Sequence, residues 1–268
     1  MRGEREEHCL KRVIENYEKW YCYGISYDDL NLLQGILKEV RPNPESSTFP
    51  DFVFSNGFIE HFQITSSKVT RKGAVHQREY SQYRRKTDAD IEAIQQNMNG
   101  NPCFGDVQEW QWSFHQPVHS YEYLKESLMQ TWHNHIDSLG KYTGKKQIGI
   151  FIIEYPEFAL AMCENVYGTI KEGFRYDDLR EQQEFNAYRL SRDKEMLDYL
   201  YQFSNQIKFV IYVYYDGIEI IKLKNIPDHK KLLPWDFQVC PLTVLNRESL
   251  YRMSIPDKPS EIGEKQDE

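Results

Sequence analysis

Residues 148–153 read Ile-Gly-Ile-Phe-Ile-Ile, an apolar run with no polar face. A strand of that kind must be covered on both sides, which places it inside a parallel sheet with helices above and below. The segments around it supply the cover. Leu124, Leu128, Trp132, Ile136 and Leu139 recur at helical spacing and predict a helix over 121–139, stopped between Gly140 and Gly144. Leu32/Leu33, Ile36/Leu37 and Val40 predict a second helix, capped by Ser26 and Asp29 and stopped at Arg41-Pro42. A first helical stripe runs from Cys9/Leu10 through Val13/Ile14 and Tyr17 to Trp20/Tyr21. Residues 74–99 predict one or two exposed helices, and Trp110 and Trp112 mark a short strand. Phe158–Cys163 is expected to open a helix, and residues 175–205 to be helical with Met196, Leu197, Leu200 and Phe203 inward. Phe209–Tyr215 and Ile218–Leu223 flank Asp216-Gly217 as a hairpin.

The order of elements predicts an α/β fold with a mixed central β-sheet flanked by helices. We expect one domain over 1–256, with its core at about 27–155 and a C-terminal elaboration of helix and hairpin at about 156–256. Residues 257–268 hold five acids and two lysines and are expected to be an acidic mobile tail. No apolar run approaches the ~20 residues of a membrane span. The charged start and five widely spaced cysteines predict no secretory signal, reduced thiols and a cytoplasmic location.

Net charge is −8, unsuited to coating nucleic acid by bulk attraction. Its distribution is uneven. Residues 66–87 hold Lys68, Arg71, Lys72, Arg78, Arg84, Arg85 and Lys86 against the single acid Glu79, a local +6 that leaves −14 for the rest. Such a patch attracts one anionic partner at one place, and a solvated helix face is the competing explanation.

Just ahead of the patch stands the stretch Phe49-Pro50-Asp51-Phe52-Val53-Phe54-Ser55-Asn56-Gly57-Phe58-Ile59-Glu60-His61-Phe62-Gln63-Ile64-Thr65. Two β-rich runs flank Asn56-Gly57, the preferred type I′ turn pair, and predict a hairpin of 51–54 with 58–65. With that turn Asp51 lies opposite Phe62. Glu60, Phe62 and Ile64 point to one face, and His61, Gln63 and Thr65 to the other. Oxygen donors at adjoining strand ends suit a hard cation, and a cation beside basic residues suits a phosphodiester.

Pro50-Asp51 followed by Glu60-His61-Phe62-Gln63-Ile64-Thr65 resembles the PD-(D/E)xK, or restriction-endonuclease-like, nuclease superfamily, over roughly residues 27–155. The resemblance implies a restriction-endonuclease-like core and a metal-dependent endonuclease that hydrolyses phosphodiester bonds of DNA rather than RNA, with Mg²⁺ or Mn²⁺ as cofactor and a setting of defence against foreign DNA. It implies Asp51 and Glu60 as metal ligands; Asp51, Glu60, His61 and Gln63 as catalytic positions; and Lys68, Arg71, Lys72, Arg84, Arg85 and Lys86 as nucleic-acid contacts. Glu39, ending the second helix, stands for the family's helical acid. No frame supplies acid-x-Lys: from Glu60 the lysine position is Phe62, from His61 it is Gln63, and from Gln63 it is Thr65. The alternative is therefore a catalytically inactive module of the same fold that binds nucleic acid or a protein partner. A homo-dimer is a further option.

Other chemistry finds little support. His133 and His135, two apart on a helix, cannot share a metal, and Pro117 spoils a helical His115–His119 pair. Phosphate-binding glycine loops and hydrolase elbows do not occur.

Overall fold

The computed structural model describes residues 3–45, 48–70, 73–100, 107–115, 117–165, 185–215, 217–233, 236–242 and 246–254. The chain forms two compact units, residues 1–69 with 119–242, and residues 70–118 with 243–268.

The first unit is α/β. Helices α1 (Glu4–Glu15) and α2 (Tyr27–Glu39) bracket strand β1 (Trp20–Tyr23). Strands β2 (Arg41–Pro42), β3 (Phe52–Phe54) and β4 (Gly57–Gln63) follow, and the two-residue strands β5 (Val69–Thr70) and β6 (Gly73–Ala74) come where the chain passes into the second unit. The expected capping box is present, since Ser26 Oγ accepts from the Asp29 amide at 3.2 Å and donates to the Asp29 carboxylate at 2.8 Å. α1 stops earlier than its apolar stripe. Asn16 Nδ2 donates to the Arg12 carbonyl and Trp20 Nε1 to the Val13 carbonyl, which satisfies helix-end acceptors. Trp20 and Tyr21 are thereby released into an edge strand rather than another helical turn.

The central sheet completes itself with β8 (Ile148–Glu154), β11 (Phe209–Val213) and β12 (Ile218–Lys222), in the order β1-β12-β11-β8-β4-β3-β2. β8 is parallel to both neighbours, β4 and β11, as its two-sided apolar sequence predicts. The sheet is mixed because the β3–β4 and β11–β12 hairpins are antiparallel. One face carries Phe58, Phe62, Phe151 and Ile153 against Leu124, Leu128 and Trp132 of α4 (Tyr121–Lys141). The other carries Ile59, Ile150, Ile152 and Ile211 against Cys9, Leu10 and Val13 of α1 and Leu33, Ile36 and Leu37 of α2. Trp132 and Phe151 are fully buried and meet edge to face.

Two local expectations fail. Residues 160–165 form strand β9, not a helix, between β10 (Phe185–Ala187) and β13 (Asp236–Pro241). Pairing partners distant in sequence override the helix preference of Leu160, Ala161 and Met162. Within 175–205 the described part is β10, a 3-10 turn at Leu190–Arg192 and a short helix, α5 (Lys194–Tyr201), so the long charged helix is absent there. Residues 166–184 and the tail 255–268 lie outside the described residues. A last short helix, α6 (Ile226–Lys231), follows β12.

The second unit pairs β7 (Val107–His115) with β14 (Asn246–Ser254) and carries the 26-residue helix α3 (Val75–Gly100). That pairing draws 70–118 out of the contiguous core expected over 27–155. In this unit His76, Tyr80 and Tyr83 of α3 pack on Phe114, and Trp112 Nε1 donates to Asp90 at 3.0 Å. Among the described residues no helix is long and apolar enough to cross a membrane.

Candidate active site

The hairpin turn is one residue away from its expected place. Phe54 pairs with Gly57, so Ser55-Asn56 form the loop and Gly57 is already in the strand. Gly57 is not needed for a left-handed turn, since its φ is not positive. It is needed because a Cβ there would lie 1.9 Å from the Ile148 carbonyl oxygen of the adjoining strand. The shift has a chemical consequence. Phe52 pairs with Ile59, which brings Asp51 beside Glu60 instead of Phe62.

Asp51 and Glu60 interlock there. The Asp51 amide donates to Glu60 Oε2 at 2.9 Å, and the His61 amide donates to Asp51 Oδ2 at 2.8 Å. The carboxylate thus continues the ladder along the edge of β4 where β3 has not yet begun. Glu60 is buried and its other oxygen lies 2.7 Å from His135 Nδ1 of α4, whose ring stacks on Phe62. Both Glu60 oxygens are therefore engaged.

On the opposite face His61 and Gln63 meet Glu154, the last residue of β8. The parallel register sets Gln63 level with Glu154. His61 Nε2 lies 3.1 Å from Glu154 Oε2, and Gln63 Nε2 donates to the same oxygen. Arg5 of α1 donates to Gln63 Oε1 at 2.8 Å, and Cys9, one turn further on, is buried against the same group. These groups gather at the C-terminal ends of β4 and β8, where parallel sheets place their binding crevices.

The electrostatics divide the two carboxyls. Burial, then the negative charges of Glu60 and Glu6, push Asp51 up to about 6, against the His61 amide bond. Burial acts on Glu154 in the same direction, but the bonds from His61 and Gln63 and the charge of Arg5 outweigh it and hold Glu154 below the usual carboxylate range. The helical acid near Asp51 is Glu6, not Glu39. Ser55 Oγ donates to Glu39 Oε1 at 2.7 Å, at the turn end of the hairpin.

Beyond β4 a second polar cluster closes over itself. Thr65 and Ser66 bond the Glu157 carboxylate, and Ser66 Oγ lies 2.8 Å from His119 Nδ1 and 2.7 Å from Tyr155 Oη. Thr65, Ser66, Ser67, His119 and Glu157 are all buried. Burial, opposed by these bonds, raises the Glu157 carboxyl. Thr65, the lysine position two beyond Gln63, is fixed inside this cluster.

Lys68 is exposed in the first unit, and Arg84, Arg85 and Lys86 are exposed on α3 in the second. Arg78 pairs with Glu79 at 3.7 Å, and Arg71 and Lys72 lie outside the described residues. Glu154, His135, Arg5 and Cys9 carry no pattern in the sequence that marks them, since only the fold brings them to the hairpin. No family model, curated protein or solved structure matches the chain.

Proposed function

We propose that the protein is a metal-dependent phosphodiester hydrolase acting on nucleic acid, DNA before RNA, at the mouth formed by β3, β4 and β8. The observation that carries this reading is the placing of Asp51 on the His61 amide at the edge of β4, next to the His61–Gln63–Glu154 group on the face toward α1, with one carboxyl raised toward neutrality and the other held ionised. Perturbed carboxyls at the carboxyl end of parallel strands are the kind of groups that functional sites collect.

The charge at the Asp51 edge favours a hard divalent cation. Asp51, Glu60 and Glu6 concentrate negative charge that a cation would relieve, and Asp51 would hold it. Mg²⁺ or Mn²⁺ would supply charge neutralisation at the phosphate. The remaining roles fall to side chains. With Asp51 ionised on the cation, the attacking water passes its proton to solvent as the new oxygen–phosphorus bond forms and the bond to the leaving sugar oxygen breaks. The leaving oxygen takes its proton from solvent. Gln63 is oriented by Glu154, and Arg5 brings the positive charge that a lysine two residues beyond Gln63 would otherwise supply. Lys68, Arg84, Arg85 and Lys86 are the exposed candidates for phosphate contacts.

A second reading keeps the fold without the chemistry, as a module that binds nucleic acid or a protein partner. Thr65 favours it, because the lysine position is spent on a buried hydrogen-bond network. End-labelled single- and double-stranded DNA and RNA, incubated with the full chain in Mg²⁺ or Mn²⁺, separate the two. Cleavage lost in Asp51→Asn supports hydrolysis. Salt-sensitive binding without cleavage of any substrate supports the module.

A further inference from the structure

The face of β4 that looks toward α1 holds a donor set of a different character from the oxygen-rich edge at Asp51. Cys9 of α1, His61 of β4 and Glu154 of β8 each present one ligating atom, and the three atoms lie within 4.8 Å of one another. No other group of three or more His, Cys, Asp or Glu side chains among the described residues meets the same condition. From this geometry we infer that Cys9, His61 and Glu154 form a binding site for a borderline divalent cation of the zinc class. The inference goes beyond the hydrolase reading and does not depend on it.

Three features support it. A thiolate–imidazole–carboxylate set selects zinc-like ions over magnesium, whose hard charge prefers oxygen alone. The spacing is close to what coordination needs. Zinc bonds of ~2.0–2.3 Å put tetrahedral ligands roughly 3.5 Å apart, and His61 and Glu154 already stand at 3.1 Å. The third feature is the surrounding scaffold. Arg5, one helical turn before Cys9, donates to Gln63, and Gln63 donates to Glu154, so the carboxylate is aimed through a chain of bonds as metal-bound carboxylates commonly are.

The alternative role for Cys9, a small apolar filler of the α1–sheet interface, explains its burial. It does not explain why a buried imidazole and an ionised carboxylate are packed against it. Burial and the Glu154 charge keep the free thiol protonated. Uptake therefore replaces the sulfur–hydrogen bond by a sulfur–metal bond and releases that proton to solvent, with no change of oxidation state. Three protein donors leave a fourth position open, the pattern of sites that bind water or substrate rather than of closed structural sites.

Cobalt(II), the spectroscopic stand-in for zinc, tests the site in the full chain. The expected result is uptake of one ion per chain with a sulfur-to-cobalt charge-transfer absorption, bleached when Zn²⁺ displaces it. The band disappears in Cys9→Ser, persists in Cys22→Ser and in Asp51→Asn, and forms with roughly 10–100-fold weaker affinity in Gln63→Ala. Glu154→Gln guards against a folding artefact at Cys9, because it keeps the side-chain shape and is expected to lose tight binding while its circular dichroism stays that of the wild type. No charge-transfer band in the wild type, or an unchanged band in Cys9→Ser, overturns the site. Persistence of the band in a chain that cleaves nothing would separate this inference from the hydrolase reading.

Discussion

Two polar clusters lie at successive positions along the end of β4, and they differ in enclosure and in charge. The outer cluster, Asp51, His61, Gln63 and Glu154, is only partly enclosed, and its two carboxyls are displaced in opposite directions. The inner cluster, Thr65, Ser66, Ser67, His119, Tyr155 and Glu157, is buried, and its hydroxyls and carboxylate bond one another. A satisfied interior network fixes a local structure. Perturbed carboxyls cluster at functional sites, and our reading of the outer cluster rests on that tendency. The contrast predicts that substitutions in the outer cluster change activity and leave the fold, while those in the inner cluster do the reverse.

The largest expected effect is on catalysis. Asp51→Asn keeps a carbonyl acceptor for the His61 amide and should lower phosphodiester cleavage by about 10²–10⁴-fold with the fold intact. Kinetics under saturating Mg²⁺, with circular dichroism as control, check this. Next comes the inner cluster. Glu157→Ala strands Thr65 and the Ser66 amide in a buried space and should destabilise by about 1–3 kcal/mol for each group left unpaired, measured by urea unfolding. Thr65→Lys, which would put a lysine two residues beyond Gln63, should unfold the chain rather than activate it, because the ammonium would enter a buried site already filled.

The pH dependence is smaller and has a definite sign. Asp51 is raised from its ordinary 3.8 to about 6, so between those values the folded chain binds more protons than the unfolded one. Its contribution therefore weakens the fold as pH rises through that interval, and the loss persists above it. Asp51→Asn should accordingly stabilise the chain by about 1–2 kcal/mol at pH 8 and by nearly nothing at pH 4, read from thermal unfolding. Glu154 is lowered, which reverses the sign: its contribution is present at neutral pH and lost on acidification. The smallest effect concerns α3. Replacing Arg84, Arg85 and Lys86 by Gln should reduce the salt dependence of DNA binding by about 2–3 units of slope, leaving cleavage chemistry untouched.

The frame of the molecule was legible because it is written in local pattern. The two-sided apolar run of β8, the Ser26–Asp29 cap and the stripe of α4 each settle one element without reference to any other. The site was legible in half. Asp51, Glu60, His61 and Gln63 stand in one hairpin and announce themselves by spacing. Glu154 does not, because its meeting with Gln63 depends on parallel pairing across 91 residues. Arg5 and Cys9 depend on how α1 docks. The register differs from the one the turn pair predicts for a physical reason. Asn-Gly usually signals the turn itself, and here the glycine serves the close approach of the Ile148 carbonyl. His135 cannot share a metal with His133, and its partner is instead a carboxylate on a strand.

Thermal unfolding of the wild type and Asp51→Asn at pH 7.5, with and without Mn²⁺, tests the division between the two clusters most directly. Without metal the variant should melt higher than the wild type; with saturating Mn²⁺ the wild type should rise and the variant should not. Equal Mn²⁺ shifts in both proteins, or none in either, would contradict the assignment of the Asp51 edge as the working site.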